Sequence, residues 1–208
     1  MTLPASMTGA FILCLPHPTF IHSTHKKLSS MTNIGVYLSS KTDVAPEIKD
    51  ATEAFGQWLG QTHKTLVYGG SRCGMMEVLA RAVKKNGGRV FGVVPQSIVE
   101  RNLVSETIDV EFRCTDLNDR KAIMLRESEA FVALPGGIGT LDEIFTTAAS
   151  YVFGMHTKPL ILFNVNGFWK PLIDMINNLK SQGVITEKTH EAIHVADSIT
   201  ELTALLDA

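Results

Sequence analysis

The residues from Ala133 to Glu143 read ALPGGIGTLDE and combine a glycine-rich loop with the signals of a helix start. An apolar run, Ala130 to Leu134, predicts a buried strand before the loop, and Thr140 is expected to open the helix after it. Glycine lets a ligand approach the backbone closely, and the first N–H groups of a helix have no partner within it. The stretch therefore predicts an anion site, and phosphate is the anion that it suits best.

Two roles fit Glu143 at this spacing. In one, Thr140 and Glu143 form a capping box, in which both side chains satisfy free N–H groups at the helix start. In the other, Glu143 lies off the apolar side of the helix and close to the glycine loop. A carboxylate so near a bound phosphate is electrostatically unfavourable unless it acts on the substrate, by holding sugar hydroxyls or orienting a water molecule. The spacing alone leaves both roles open.

Arg120 and Lys121 form a second pair of candidates, on a predicted helix from Leu117 to Glu127. Residues three and four apart share a helix face, so two cations lie between Leu117 and the following apolar residues. Their alkyl stems could cover apolar surface while their charges reach solvent. Alternatively, the pair faces a ligand crevice and supplies positive charge for a phosphate or a departing base.

These candidates lie on a chain that alternates strands and helices from Asn33 onward. The predicted strands are 34–38, 65–68, 90–94, 110–114, 130–134 and 160–165, and the predicted helices are 45–60, 75–85, 117–127, 141–152, 168–180 and 198–206. Residues 96–109 are expected to be irregular. Continuously apolar strands separated by helices predict an α/β fold with a mostly parallel sheet covered on both faces.

Three loops of small residues follow predicted strands, namely Ser39–Ser40, Gly69–Ser71 and Pro135 to Thr140. Open α/β sheets bind ligands at the carboxyl ends of their strands, so the loops predict one crevice for a nucleotide-sized molecule. A GxGxxG fingerprint is absent from the sequence. The stretch Gly69 to Gly74 has Walker-type glycine spacing but lacks the lysine and hydroxyl that grip phosphate.

Two other motifs are interpreted as structural. The segment His190 to His194 reads HExxH, but only fourteen residues follow it to supply a third zinc ligand, so we interpret the match as chance. Cys73 follows a glycine loop near a helix start, where the pKa of a thiol can be lowered. Without an evident base partner, we interpret it as a packing residue.

The bulk composition is that of one soluble domain, with 208 residues, 45% hydrophobic and 19% charged. A net charge of −2 gives no electrostatic case for nucleic acid or an anionic membrane as partner. No apolar run approaches the roughly 20 residues that span a bilayer. Three scattered cysteines favour reduced thiols and a cytoplasmic location. Residues 1–30 contain no Asp or Glu and are interpreted as an N-terminal extension, so we expect the domain to cover residues 31–208.

From about Ile34 to Leu206 the chain resembles the Lonely Guy (LOG) family of cytokinin-activating phosphoribohydrolases. The motifs that carry the resemblance are Tyr37–Ser40, Val67–Gly70, Gly92–Pro95, Asp119–Ala122, Leu134–Glu143, Lys158–Pro159 and Asn164–Gly167. The combination of the Arg-Lys pair with PGGxGTxxE is specific, whereas each motif alone is much less so. Residues 1–30 have no counterpart in the family.

The resemblance implies a Rossmann-like, doubly wound fold and a homodimer with its active site near the subunit interface, without a metal or organic cofactor. The implied reaction cleaves the N-glycosidic bond of a purine nucleoside 5′-monophosphate and releases the base and ribose 5-phosphate. In family terms Arg120 and Glu143 are catalytic, while Lys121 and the loop 137–142 hold the nucleotide. With the crevice loops added, the expected substrate-binding residues are Lys121, Gly136, Gly137, Ile138, Gly139, Thr140, Leu141, Asp142, Gly70, Ser40 and Asn102.

Two positions depart from the plant pattern. Asn102 follows Arg101 where plant members have a glutamate, and Ala149–Ser150 stands where they have a threonine and a tryptophan. Plain adenosine monophosphate is therefore a better candidate substrate than a cytokinin nucleotide. A nucleotide-binding module without hydrolysis is the main alternative. A lysine decarboxylase is disfavoured because no lysine has a recognisable Schiff-base context and the single domain leaves little room for a pyridoxal cofactor.

Overall fold

The computed structural model describes residues 31–208, so the interpretation of residues 1–30 as an extension lies outside the described residues. A single sheet of seven parallel strands forms the centre of the described part, in the order β4-β3-β2-β1-β5-β6-β7. The strands are β1 (Asn33–Tyr37), β2 (Thr65–Tyr68), β3 (Arg89–Pro95), β4 (Val110–Cys114), β5 (Ala130–Ala133), β6 (Leu160–Phe163) and β7 (Ile193–Ala196).

Helices cover both faces of this sheet, which confirms the predicted doubly wound α/β fold. They are α1 (Pro46–Gln61), α2 (Gly74–Lys85), α3 (Gln96–Glu100), α4 (Leu117–Glu127), α5 (Ile138–Val152), α6 (Lys170–Ser181), α7 (Glu187–Glu191) and α8 (Ile199–Asp207). The core splits into two clusters, one under α1, α2 and α8 and the other under α4, α5 and α6. Within residues 31–208, every helix is too short or too polar to cross a membrane.

The winding of the sheet reverses between β1 and β5, which are neighbours at its centre. From β1 the chain builds outward to β4 on one side, and it then returns to β5 and builds outward on the other. The loops that follow β1 and β5 therefore lead to helices on opposite faces. Such a reversal opens a crevice at the carboxyl ends of the two strands, where α/β proteins bind their ligands.

Buried apolar runs explain why these segments form strands in the middle of the sheet. In β5 all four residues are buried, with Phe131 directed to the α4–α5 face and Val132 to the α1–α2 face. Beyond β6, the indole Nε1 of Trp169 donates a hydrogen bond of 3.1 Å to the carbonyl of Ala133, at the end of β5. This bond fixes the point at which the glycine loop leaves the sheet.

Four elements described here differ from the sequence prediction. Strand β7 was not predicted, because it is an edge strand with His194 and Val195 exposed and so lacks a continuous apolar run. Short helices α3 and α7 were also missed, since five residues give little periodicity. The strand predicted to reach Val165 ends at Phe163 because a 3-10 turn begins at Val165.

Core packing gives a first test of this fold. Leu59 of α1 is fully buried against the sheet, so Leu59→Ala is expected to lower the free energy of unfolding by about 2–5 kcal/mol. Val184 is 67% exposed, so Val184→Ala is expected to change the free energy of unfolding by less than about 0.5 kcal/mol. Urea unfolding of both variants measures the two values, and equal losses would contradict the described core.

Candidate active site

Arg120 and Glu143 form an ion pair in the crevice. The Nη2 atom of Arg120 donates to Oε1 of Glu143 at 2.5 Å, and the two side chains are only 18% and 8% exposed. Arg120 comes from the first turn of α4, whose start is fixed by Asp116, since this carboxylate accepts from the backbone N–H groups of Asn118 and Asp119. The sequence prediction that both residues face one crevice is confirmed by this contact.

The spacing left two roles open for Glu143, and the start of α5 shows that one of them, the capping box, is wrong. The helix begins at Ile138 with Gly137 as N-cap, and no described side chain caps it. Thr140 lies inside the first turn and packs against Gly136, where a Cβ atom would collide with the threonine side chain. Because Gly136 lacks that atom, the helix can begin before Thr140. Glu143 is then buried and faces Arg120 instead of the helix start.

Gly69 provides the space that the guanidinium occupies. A Cβ atom at this position would lie 2.7 Å from Nη2 of Arg120 and 2.7 Å from Cε of Met76. Any side chain here would therefore displace either the catalytic candidate or the neighbouring methionine. The sequence indicated this loop by its two glycines but gave no reason to separate Gly69 from Gly70.

A cavity of about 280 Å³ surrounds the ion pair at the carboxyl ends of β1 and β5. Its lining residues are Leu38, Ser39, Ser40, Lys41, Met76, Arg120, Gly137, Ile138, Gly139, Thr140 and Glu143. Of the predicted residues, Ser40, Arg120, Glu143 and the range 137–140 therefore lie together. Lys41 and Met76 were missed, Lys41 because a solvent-exposed lysine carries no signal and Met76 because it resembles a core residue.

Lys121 and Asp142 lie outside the cavity walls and bind each other. The Nζ atom of Lys121 donates to both carboxylate oxygens of Asp142 at 2.8 Å and to Oγ1 of Thr146 at 3.2 Å. Lys121 lines a separate groove between α4 and α5. Neither Lys121 nor Arg120 directs a free charge into solvent, so the alternative of two snorkelling cations is wrong.

Four other predicted residues also lie elsewhere. Gly136 and Leu141 line an apolar groove between α5 and α6. Gly70 is buried in a left-handed conformation (φ 70°), with Val94 where its side chain would be. Asn102 lies in an exposed turn after α3, also with a positive φ of 53°. None of the four lines the cavity around the ion pair, so their contact with a ligand stays a prediction.

The charges around Glu143 have opposing effects on its pKa. Burial raises the pKa of this carboxyl above its usual value of 4.5, and neighbouring Asp142 acts in the same direction. The guanidinium of Arg120 and the more distant Lys121 lower it. A carboxyl with a raised pKa beside a fixed cation can both accept a proton and stabilise developing positive charge near neutral pH.

The HExxH segment does not form a helical metal site. His190 lies in α7, whereas His194 lies in β7 and is exposed. Within residues 31–208, no group of three His, Cys, Asp or Glu side chains could hold a metal ion. Cys73 is the half-buried N-cap of α2 and makes no capping hydrogen bond through its side chain.

Comparison with known proteins identifies the family. The family model described as "Possible lysine decarboxylase" matches residues 76–206. The cytokinin riboside 5′-monophosphate phosphoribohydrolase LOG7 of Arabidopsis thaliana is 34% identical over 179 residues, which cover 86% of this chain and 82% of the relative. The probable cytokinin riboside 5′-monophosphate phosphoribohydrolase LOGL2 from Oryza sativa subsp. japonica is also 34% identical. The match covers 86% of this chain and 73% of the relative. The chain belongs to the LOG family.

Solved structures share the α/β fold of this chain. The Moco carrier protein from Chlamydomonas reinhardtii aligns with a TM-score of 0.65 and 22% identity, covering 84% of this chain and 94% of that one. The molybdenum cofactor binding protein from Rippkaea orientalis aligns with a TM-score of 0.63 and 22% identity, covering 86% and 97%. At this identity the likeness concerns the fold alone.

Stability as a function of pH tests the environment of Glu143. Because its pKa is raised on folding, the folded state binds the proton more tightly than the unfolded chain does. The contribution of this group to the free energy of unfolding should therefore increase as the pH falls through the range above 4.5. Relative to Glu143→Gln, the wild-type protein should gain stability over this range, as measured by urea unfolding at several pH values.

An exposed acid with the opposite shift provides the control. Lys180 lowers the pKa of Glu187 through a hydrogen bond, so wild type should lose stability relative to Glu187→Gln as the pH falls. The stability difference between wild type and Glu143→Gln should change with pH in the opposite direction to that between wild type and Glu187→Gln. A change in the same direction would contradict the described burial of Glu143.

Proposed function

We propose that this chain hydrolyses the N-glycosidic bond of purine nucleoside 5′-monophosphates and releases the free base and ribose 5-phosphate. One observation carries the proposal, namely the buried Arg120–Glu143 pair beside the uncapped N-terminus of α5 within one cavity. This arrangement combines an anion site with two charged groups of opposite sign, which is what cleavage of a nucleotide requires. The names of the relatives agree with this reaction class.

The 5′-phosphate is assigned to the first turn of α5. The backbone N–H groups of residues 138–140 lie at the positive end of the helix dipole, and no described side chain caps them. Lys41 adds a cation to the cavity walls, and Ser39 and Ser40 add hydroxyl groups. Binding energy from the phosphate then holds the ribose in a fixed position relative to Glu143.

Glu143 acts on the sugar in the proposed mechanism. As the bond between C1′ and the base nitrogen breaks, its electron pair leaves with the base and positive charge develops on the ribose. The Glu143 carboxylate stabilises that charge and accepts a proton from the water that attacks C1′. The departing base takes up a proton from solvent, and Glu143 returns its proton to solvent before the next turnover. Water is the nucleophile in this step, and the absence of a metal or organic cofactor stays a prediction.

Arg120 acts on the opposite side of the same bond. A guanidinium keeps its charge at any physiological pH, so it stabilises negative charge on the departing base or the phosphate and does not serve as a proton donor. Its Nη2 group donates a hydrogen bond to Glu143. Lysine is a poor substitute, because it lacks the planar set of donors that can contact a carboxylate and a ligand together.

Both plain adenosine monophosphate and its N6-substituted, cytokinin-type forms are proposed as substrates. The relatives are named for cytokinin riboside 5′-monophosphates. In this chain the cavity walls on the α2 side come from Met76, a flexible apolar side chain that suits a purine ring without selecting its substituent. Roles in substrate binding for Lys121, Gly136, Leu141, Asp142, Gly70 and Asn102 stay predictions, as does a cytoplasmic location.

Product analysis tests the reaction. Purified protein incubated with adenosine monophosphate, or with its N6-isopentenyl form, should release free base and ribose 5-phosphate, both detectable by chromatography. Glu143→Gln and Arg120→Lys should each lower kcat by about 100-fold or more. The first removes the negative charge beside the ribose, and the second removes the planar set of donors that contacts the carboxylate and the ligand together. Glu53→Gln, which changes an acid of α1 away from the cavity, is the matched control and should keep full activity.

Two outcomes would count against this mechanism. Saturable nucleotide binding without release of base by the wild-type protein would favour a binding module over an enzyme. Base release that is unchanged in Glu143→Gln would show that the carboxylate has no part in the chemistry.

We further propose that the protein is a homodimer with α5 in its interface. Large apolar side chains are exposed along this helix and in the turn after it, including Ile138 (82%), Phe145 (44%) and Phe153 (79%). Exposed apolar patches of this kind indicate a protein partner. Ile138 also lines the cavity, so a partner seated on α5 would close an otherwise open ligand site.

A charge in this surface tests the dimer. Phe153→Glu should convert a dimer to a monomer in size-exclusion chromatography with light scattering, because a carboxylate cannot be buried unpaired in an apolar interface. Val184→Glu introduces the same charge at an exposed position outside α5 and should leave the mass unchanged. A wild-type protein that runs as a monomer would contradict the proposed interface.

A further inference from the structure

Thr147 connects the buried face of α5, which also carries Glu143, to residues outside the helix. It lies one helical turn after Glu143, so the two side chains share the buried face of α5. Both are almost completely buried, with 3% and 6% of their surface exposed. Its hydroxyl and its carbonyl oxygen each have a partner outside the helix.

The Thr147 hydroxyl binds Tyr37, the last residue of β1. The two hydroxyl oxygens are 2.8 Å apart, and both side chains are buried. Burial raises the pKa of the Tyr37 phenol, so it stays neutral and keeps its proton for this bond. Its ring stacks on Phe131 of β5 at 5.5 Å and is thereby fixed. The next residues in the chain, beginning with Leu38, form the cavity wall that faces α5.

The Thr147 carbonyl binds His156, and the network assigns the tautomer of this histidine. The backbone N–H of Lys158 donates to Nδ1 of His156 at 3.1 Å, so Nδ1 carries no proton. The proton therefore lies on Nε2, which donates to the carbonyl of Thr147 at 3.1 Å. Burial lowers the pKa of His156, which keeps the ring in this neutral form.

The same segment also holds α4. The Nζ atom of Lys158 donates to the carbonyl of Leu125 at 2.5 Å, in the last turn of the helix that carries Arg120. A cation at this position also interacts favourably with the negative end of the helix dipole. Residues 156–158 therefore bind both helices of the catalytic pair, and Tyr37 binds one of them to the central strand.

We infer that Tyr37 and His156 are positioning residues that fix the Glu143 carboxylate against Arg120 by binding opposite ends of Thr147. Neither side chain lines the cavity, so neither contacts the ligand in this assignment. A misplacement of about 1 Å in a catalytic group can lower a rate by about 100-fold, so such a support has a measurable effect. The predicted effect on kcat rests on the proposed function, whereas the predicted effect on the pKa of Glu143 does not.

The charged groups that face Glu143 determine what a pH measurement would report. They are Arg120 and Lys121 from α4, Asp142 from α5 itself, the neutral phenol of Tyr37 from β1 and Lys41 from the loop after β1. Arg120 makes the contact that lowers the pKa of Glu143 most. Loosening the support of Glu143 weakens this contact and should raise the pKa of the carboxyl further.

Tyr37→Phe tests the inference by removing one hydroxyl while retaining the ring that stacks on Phe131. We expect kcat to fall by about ten-fold with KM unchanged, and the acid limb of the pH–rate profile to move to higher pH. The titration of the Glu143 carboxyl, followed by NMR with ¹³C-labelled glutamate and assigned through Glu143→Gln, should move in the same direction. Thr147→Val removes the other half of the bond and should have the same effects, which should not add in the double variant.

The controls separate positioning from simple loss of stability. Thr147→Ser retains the hydroxyl and should behave as wild type. Tyr68→Phe removes an equally buried hydroxyl from the end of β2 on the opposite face of the sheet, and it should leave both the pH–rate profile and the NMR titration unchanged.

The two proposals fail in different ways. If Tyr37→Phe and Thr147→Val are folded but keep the wild-type titration of Glu143 and a kcat within two-fold, the positioning inference is overturned. If the wild-type protein releases no base, the proposed function fails, while the NMR titration of Glu143 still decides whether Tyr37 and Thr147 hold the carboxylate.

Discussion

The ion pair between Arg120 and Glu143 is the constraint around which the other elements are arranged. Burying two charges costs several kcal/mol per ion, and their attraction offsets this only when the geometry is good. The protein meets this condition by taking one group from the first turn of α4 and the other from the second turn of the adjacent helix α5. Gly69 then leaves room for the guanidinium beneath the pair. The pair lies where the sheet reverses its winding, which is also where a ligand has access to it.

Helix α5 combines three functions that usually belong to separate elements. Its first turn offers unpaired N–H groups, its second turn carries Glu143, and its outer side exposes large apolar residues. Apolar residues therefore lie on the outer side of α5 as well as on the side that packs against the sheet. Exposed apolar residues of this kind are the observation on which the proposed dimer interface rests.

The sequence was sufficient for the fold and for the location of the site, because apolar periodicity and glycine loops are local signals. It was insufficient for the pairing of side chains. A Thr-x-x-Glu spacing fits a capping box as well as a buried carboxylate, and only the approach of α4 decides between them. Likewise, Arg120 and Lys121 are adjacent in the chain but about 100° apart around the helix, so one faces the cavity and the other faces Asp142. Strand β7 was missed because an exposed edge strand has no continuous apolar run.

The segment 156–158 precedes β6, so it lies at the amino edge of the parallel sheet, across the molecule from the ligand crevice. It nevertheless binds both helices that supply the charged pair. Evolutionary drift at this remote edge can therefore alter how fast a homologue works while its set of ligand contacts stays identical. A comparison of two such proteins that is restricted to cavity residues would then overlook the origin of their difference in rate.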